Sequence, residues 1–112
     1  MAPRDALGLD ELWVGEMRGL HLGGRRVLVV RLGEGVRAYE DRCPHLGVPL
    51  SEGTLDGATL TCRAHAFTYD AVTGQGKNPR LLCLRPFPVT VDGGRVRVDV
   101  EAGAGAGAEA TR

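Results

Sequence analysis

Short runs of β-branched residues, cut off again and again by glycine, constrain this chain more than any other feature. Residues 25–32 (RRVLVVRL), 36–40, 58–62, 67–69, 89–92 and 95–100 each carry the composition of a short strand, with glycine-bearing turns between them. The clearest case is 88–100 (PVTVDGGRVRVDV), where Asp92-Gly93-Gly94 supplies residues that tolerate positive φ between two stretches of strict alternation. That pattern predicts an antiparallel hairpin with one dry face and one wet face. Residues 55–60 (LDGATL) predict a second hairpin. Only residues 9–17 have room for a helical turn, and they read equally well as a strand. The fold class expected is all-β.

With 112 residues there is material for one domain with its own core, not for two. Residues 101–112 (EAGAGAGAEATR) lack any side chain large enough to anchor them, so the domain is expected over 1–100, followed by a flexible Gly/Ala-rich tail. Lysine plus arginine and aspartate plus glutamate total 14 each, so no overall positive field draws the chain to nucleic acid. The first ten residues lack a continuous apolar stretch, and nothing later approaches the roughly 18 apolar residues of a membrane span. A cytoplasmic location, away from the membrane, is the expectation. Three cysteines in a reducing compartment argue against a disulfide framework and leave metal ligation or burial.

The chemistry concentrates in two segments, Cys43-Pro44-His45-Leu46-Gly47 and Cys62-Arg63-Ala64-His65, with 16 residues between His45 and Cys62. Each offers one thiolate and one imidazole on a turn-like stretch between predicted strands, so two loop tips can converge on one inorganic centre. If Cys43 and Cys62 bind one iron and His45 and His65 the other, neutral imidazoles replace two thiolate charges and an added electron costs less. Such substitution moves a binuclear cluster to roughly −150 to +300 mV, against about −400 mV for all-cysteine clusters. The same four residue types also make a structural zinc tetrahedron, although zinc pairs are typically spaced by two to four residues, not by the single Pro44. Simple burial of all four is the third reading.

These two motifs resemble those of the Rieske family. The likeness extends to residues 12–17 (LWVGEM), 50–53 (LSEG), 62–65 (CRAH) and 73–79 (TGQGKNP), which look like the ferredoxin of bacterial multicomponent diiron toluene and alkene monooxygenases over residues 11–100. The resemblance implies a Rieske-like antiparallel β-sandwich with a cluster-binding subdomain formed by two hairpin loops, over about 42–82. It implies one [2Fe–2S] cluster per chain, held by Cys43, His45, Cys62 and His65. It also implies an electron carrier rather than an enzyme: a monomer that takes electrons from an NADH-dependent flavin reductase and gives them to an oxygenase hydroxylase. A Rieske ring-dioxygenase partner, or service as the small Rieske-like subunit of nitrite reductase, is the alternative. Leu46 and Phe67 stand where several toluene members have glutamine and tryptophan, so the cluster surroundings and partner fit are expected to differ.

High-potential Rieske proteins add a disulfide between the loops and hydroxyl donors to the cluster. This chain has Val48 and Ala64 at the expected cysteine positions and Ala66 where a serine-type donor is expected, which predicts a potential toward the low end of the range. Pro44, Gly47, Gly74, Gly76 and Pro79 are expected to let backbone approach the sulfides, with Pro79 in a third covering loop. Arg42, Leu46, Arg63 and Phe67 are the expected partner contacts. Cys83, in the run 81–84 (LLCL), reads as a core hydrophobe, His21 as a structural or exposed histidine, and Trp13 as a core aromatic. The alternating charges of 95–99 (RVRVD) read as the wet face of an edge or hairpin strand.

Overall fold

The computed structural model describes residues 3–44, 47–63, 67–78 and 82–100. Among these described residues, eleven strands form three antiparallel sheets. The first sheet joins β1 (Arg4–Gly8), β11 (Arg95–Val98) and β10 (Val89–Asp92), in the order β1-β11-β10. The second runs β2-β3-β4-β9, with β2 at Met17–Leu22, β3 at Arg25–Leu32, β4 at Gly35–Glu40 and β9 at Pro86–Phe87. The third runs β5-β6-β7-β8, with β5 at Thr54–Asp56, β6 at Thr59–Thr61, β7 at Thr68–Asp70 and β8 at Gly76–Asn78.

The unbroken apolar run inside β3 explains how the sheets stack. Val27 and Val29 face one core with Leu7, Leu12, Ala38, Phe87, Val96, Val98 and Val100. Leu28, Val30 and Leu32 face the opposite core with Tyr39, Cys43, Leu50, Leu60, Cys62, Tyr69, Ala71 and Leu84. A strand with both faces covered cannot alternate apolar and polar residues, and β3 does not. The second sheet is therefore the middle layer: the first packs on one side as a sandwich, and the third, whose strands flank Cys62 in sequence, lies on the other.

Both expected hairpins form. Gly93 and Gly94, at φ 60° and 78°, make the two-residue turn between β10 and β11, with Asp92 opposite Arg95. Gly57 turns β5 into β6 at φ 62°. In β11, Val96 and Val98 are buried and Arg97 is exposed, as the alternation predicts, but this strand lies at the centre of its sheet with β1 on its other side. Residues 9–17 split between a single 3₁₀ turn at Leu9–Glu11 and a loop leading to β2.

Two side chains expected in the core lie outside it. Trp13 is 74% exposed. Its loop is fastened through backbone instead: Gly15 N donates to Arg31 O at 2.7 Å, and Arg31 Nη1 donates to the carbonyls of Leu9 and Leu12, each at 2.9 Å. The loop is thus held on Arg31 with its indole outward. Cys83 is also exposed. It pairs with Gln75 in an isolated bridge between Leu82 and Leu84, which pack on the core, so the pleat turns Cys83 away. His21 is exposed, as expected. Among the described residues, no helix is long and apolar enough to cross a membrane.

Candidate iron–sulfur centre

The first loop leaves β4 through Asp41, the one charged residue buried among those described. Asp41 Oδ1 accepts from Ser51 N at 2.8 Å and Oδ2 accepts from Ser51 Oγ at 2.7 Å, which closes the base of the loop. Within it, Cys43 N donates to Val48 O at 2.8 Å and Gly47 N donates to Cys43 O at 2.7 Å. Gly47 takes φ 78°, a conformation that residues with a Cβ rarely adopt, and this permits the tight return. The second loop leaves β6 at Cys62 and returns at Phe67, whose carbonyl accepts from Cys62 N at 2.8 Å. At the surface, Arg63 Nε donates to Glu52 Oε1 at 2.7 Å, which ties this loop to the 3₁₀ turn Leu50–Glu52 that follows the first one.

Both cysteines are 1% exposed and face the same apolar core. Neither is in a disulfide. Tyr69, fully buried on β7, places its hydroxyl 3.5 Å from Cys43 Sγ. Burial pushes this phenol well above its ordinary pKa, and the contact with Cys43 adds to the rise. A phenol kept protonated beside a thiolate is a hydrogen-bond donor to sulfur. From sequence such a donor is expected at position 66, where Ala66 stands, and not at Tyr69; the inward phase of β7, with Thr68 and Asp70 on either side, is the signal that marks it.

Of the four predicted ligands, Cys43 and Cys62 come together in one core. His45 and His65 lie outside the described residues, as do Leu46, Ala64, Ala66, Pro79 and the 101–112 segment. No group of three or more Cys, His, Asp or Glu fit to hold a metal ion occurs among the described residues. The pair still suits sulfur-ligated iron. Two soft donors enter a dry core from the starts of two loops, and a buried hydroxyl stands ready to stabilise thiolate charge. Phe67 and Arg63 border the second loop as expected, Phe67 half-buried and Arg63 exposed. Gly74, at φ 81°, lies so close to Tyr39 that a Cβ would come within 2.9 Å of the ring.

Stacked antiparallel sheets with two cysteine-bearing loops converging on a buried pair of thiols define a small all-β iron–sulfur protein. Comparison with known proteins makes this specific: residues 5–88 match the Rieske [2Fe–2S] domain, and the chain belongs to that family. It is 41% identical over 95 residues to the ferredoxin component of the alkene monooxygenase system of Xanthobacter autotrophicus, covering 84% of this chain and 78% of that one. The ferredoxin of carbazole 1,9a-dioxygenase from Nocardioides aromaticivorans superimposes with a TM-score of 0.80 at 30% identity, covering 88% of this chain and 97% of that one. A complex of reduced oxygenase and oxidized ferredoxin in carbazole 1,9a-dioxygenase contains a chain that matches with a TM-score of 0.76 at 32% identity, covering 84% and 89%. The cofactor is a [2Fe–2S] cluster, and the chain is an electron-carrying ferredoxin rather than a catalytic enzyme.

Proposed function

We propose that this ferredoxin carries single electrons from an NADH-dependent flavin reductase to the hydroxylase of a diiron alkene or aromatic monooxygenase. In this reading Cys43 and Cys62 hold one iron of the cluster, and His45 and His65 hold the other. The observation that carries it is the convergence of Cys43 and Cys62 in one buried core, each at the start of a loop whose sequence places a histidine two or three residues on. When bound, the cluster accepts and releases one electron at a time. The chain's own residues shape that exchange: Tyr69 donates toward Cys43 Sγ, Asp41 and Ser51 fix the base of the first loop, and the apolar core keeps water from the sulfurs. The working unit is residues 1–100, with the cluster loops within about 42–82; the Val100 side chain still packs in the core.

Identity of 41% to the alkene monooxygenase ferredoxin favours a monooxygenase partner. The backbone likeness to the carbazole dioxygenase ferredoxin keeps a Rieske dioxygenase as the second reading. Reconstitution separates them. Purified protein is supplied with NADH and a flavin reductase and offered a diiron hydroxylase or a Rieske oxygenase; turnover with the first alone supports the proposal, and turnover with the second alone replaces it. Electron paramagnetic resonance of the reduced protein tests the ligands. His45→Cys or His65→Cys should change the spectrum, whereas a colourless protein containing zinc and no acid-labile sulfide rejects the cluster altogether.

A further inference from the structure

The overall charge balances, yet the charges around the first loop do not. Arg42, immediately before Cys43, is exposed, and its guanidinium packs over Gly47, whose Cβ, if present, would lie 3.3 Å from Nε. Arg26, exposed on β3 across from His21, reaches the same glycine with Nη2 3.5 Å from Gly47 O. The acids nearby are already engaged. Glu40 faces Arg85 at 3.7 Å, Glu52 faces Arg63 at 2.7 Å, and Asp41 is buried against Ser51. Among the described residues, neither Arg26 nor Arg42 has a carboxylate in ion-pair contact.

Exposed acids gather at the other end of the middle sheet. Glu16 sits beside Arg31, and Glu34 lies in the turn after Leu32. Six residues along β3 separate Arg26 from Leu32, roughly 20 Å at the rise of a strand. That is about twice the screening length at roughly 0.1 M salt. A body approaching the cysteine loops therefore meets the arginines largely unopposed by the distant acids.

We propose that Arg26 and Arg42 form a cationic rim that receives an acidic surface patch of the electron-accepting oxygenase, setting the side from which it docks. The proposal rests on the electron-carrier reading above and adds the chemistry of the partner's surface. A protein surface fits better than a small anion because both guanidiniums are exposed. A lone anion there would stay in water and gain little, whereas a docked protein covers both charges and sums the weak contacts.

The test is stopped-flow oxidation of the reduced, cluster-loaded protein as wild type, as the double variant Arg26→Glu/Arg42→Glu, and as Arg97→Glu, a single charge reversal of the same kind on the far sheet. The oxidants are the oxygenase that turns over in the reconstitution, basic cytochrome c, and ferricyanide. At low ionic strength the double variant should react about 10-fold more slowly with the oxygenase and faster with cytochrome c. The differences should shrink at high salt, and Arg97→Glu should follow wild type. Equal rates for wild type and double variant, or an equal loss in Arg97→Glu, overturn the proposal. Slowing with ferricyanide but not with the oxygenase also overturns it, since the rim then attracts small anions only. If charge reversal lowers cluster loading, Arg26→Gln/Arg42→Gln should give the same pattern with a smaller effect. Absence of a [2Fe–2S] spectrum from the wild type would instead defeat the carrier reading, whereas an intact spectrum with unchanged rates defeats the rim alone.

Discussion

Asp41 and Ser51 hold each other by two hydrogen bonds, 2.8 Å to Ser51 N and 2.7 Å to Ser51 Oγ, across the mouth of the loop that contains Cys43. Room for the pair comes from a third position: a Cβ on Gly19 would come within 2.6 Å of both Asp41 Oδ2 and Ser51 Oγ. A glycine inside β2 costs strand propensity, and this close approach is what it allows.

Ser51→Ala removes one donor from a buried carboxylate and leaves the backbone donor in place. Hydrogen bonds to charged groups contribute about 1.5–3 kcal/mol, so a loss of that order is expected in urea denaturation of the holoprotein. Because the pair closes the loop that bears Cys43, iron per chain should fall as well. Full stability with full iron content would show that the loop does not depend on this contact.

Tyr69→Phe keeps the buried ring and deletes the hydroxyl at Cys43 Sγ. Donation to sulfur favours the more negative, reduced form, so the variant should have a lower midpoint. A net hydrogen bond of about 0.5–1.5 kcal/mol corresponds to roughly 20–65 mV for one electron. Redox titration with an unaltered spectrum checks this, and an unchanged midpoint would remove Tyr69 from the control of potential. The donor also bears on the low potential expected from Ala66: it partly replaces the hydroxyl missing at that position.

Much of the fold was legible because local pattern and tertiary role agree. The run VLVV in β3 and the alternation around Asp92-Gly93-Gly94 each match the burial they receive. Neither β1 (RDALG) nor β2 (MRGLHL) contains a β-branched residue; β1 is defined by pairing with β11, and β2 by pairing with β3 and by the space Gly19 leaves for Asp41. Trp13 and Cys83 went the other way, apolar residues placed outward by backbone contacts with Arg31 and Gln75 that composition does not reveal. Of the site, the cysteine pair was visible in the spacing of the motifs. The inward position of Tyr69 is legible in the phase of β7, but its contact with Cys43 is not, since the two lie 26 residues apart on different elements.

Arg95 clasps Asp5 through two hydrogen bonds, 3.0 Å and 2.7 Å, and its guanidinium holds the Asp5 carboxyl below the ordinary carboxylate range. A carboxyl whose pKa is lower folded than unfolded adds stability above the unfolded value, about 3.9. That stability is lost as pH falls through the folded value. Both groups are exposed, so the effect should be small and should weaken in salt. Urea midpoints measured from neutral pH downward should converge for wild type and Asp5→Asn below pH about 3.9. A gap that persists undiminished in strong acid would mean Asp5 acts through something other than its charge.

Two glycines on either side of β5 allow the backbone around the cysteines to be tested with one substitution. Gly57 takes φ 62° with open space around it, so Gly57→Ala meets only the strain of the left-handed region, about 1–2 kcal/mol. Gly53 caps the turn Leu50–Glu52, its N donating to Leu50 O at 2.9 Å, and a Cβ there would overlap the carbonyl oxygen of Thr61. Thr61 is the residue before Cys62, so relief of that overlap must shift the backbone that places the thiol. Gly53→Ala should therefore lose iron as well as stability, whereas Gly57→Ala should lose stability alone. Iron and acid-labile sulfide per chain, measured beside denaturation midpoints, check the contrast; equal iron retention in both variants would show that the Thr61–Cys62 backbone can yield without moving the sulfur.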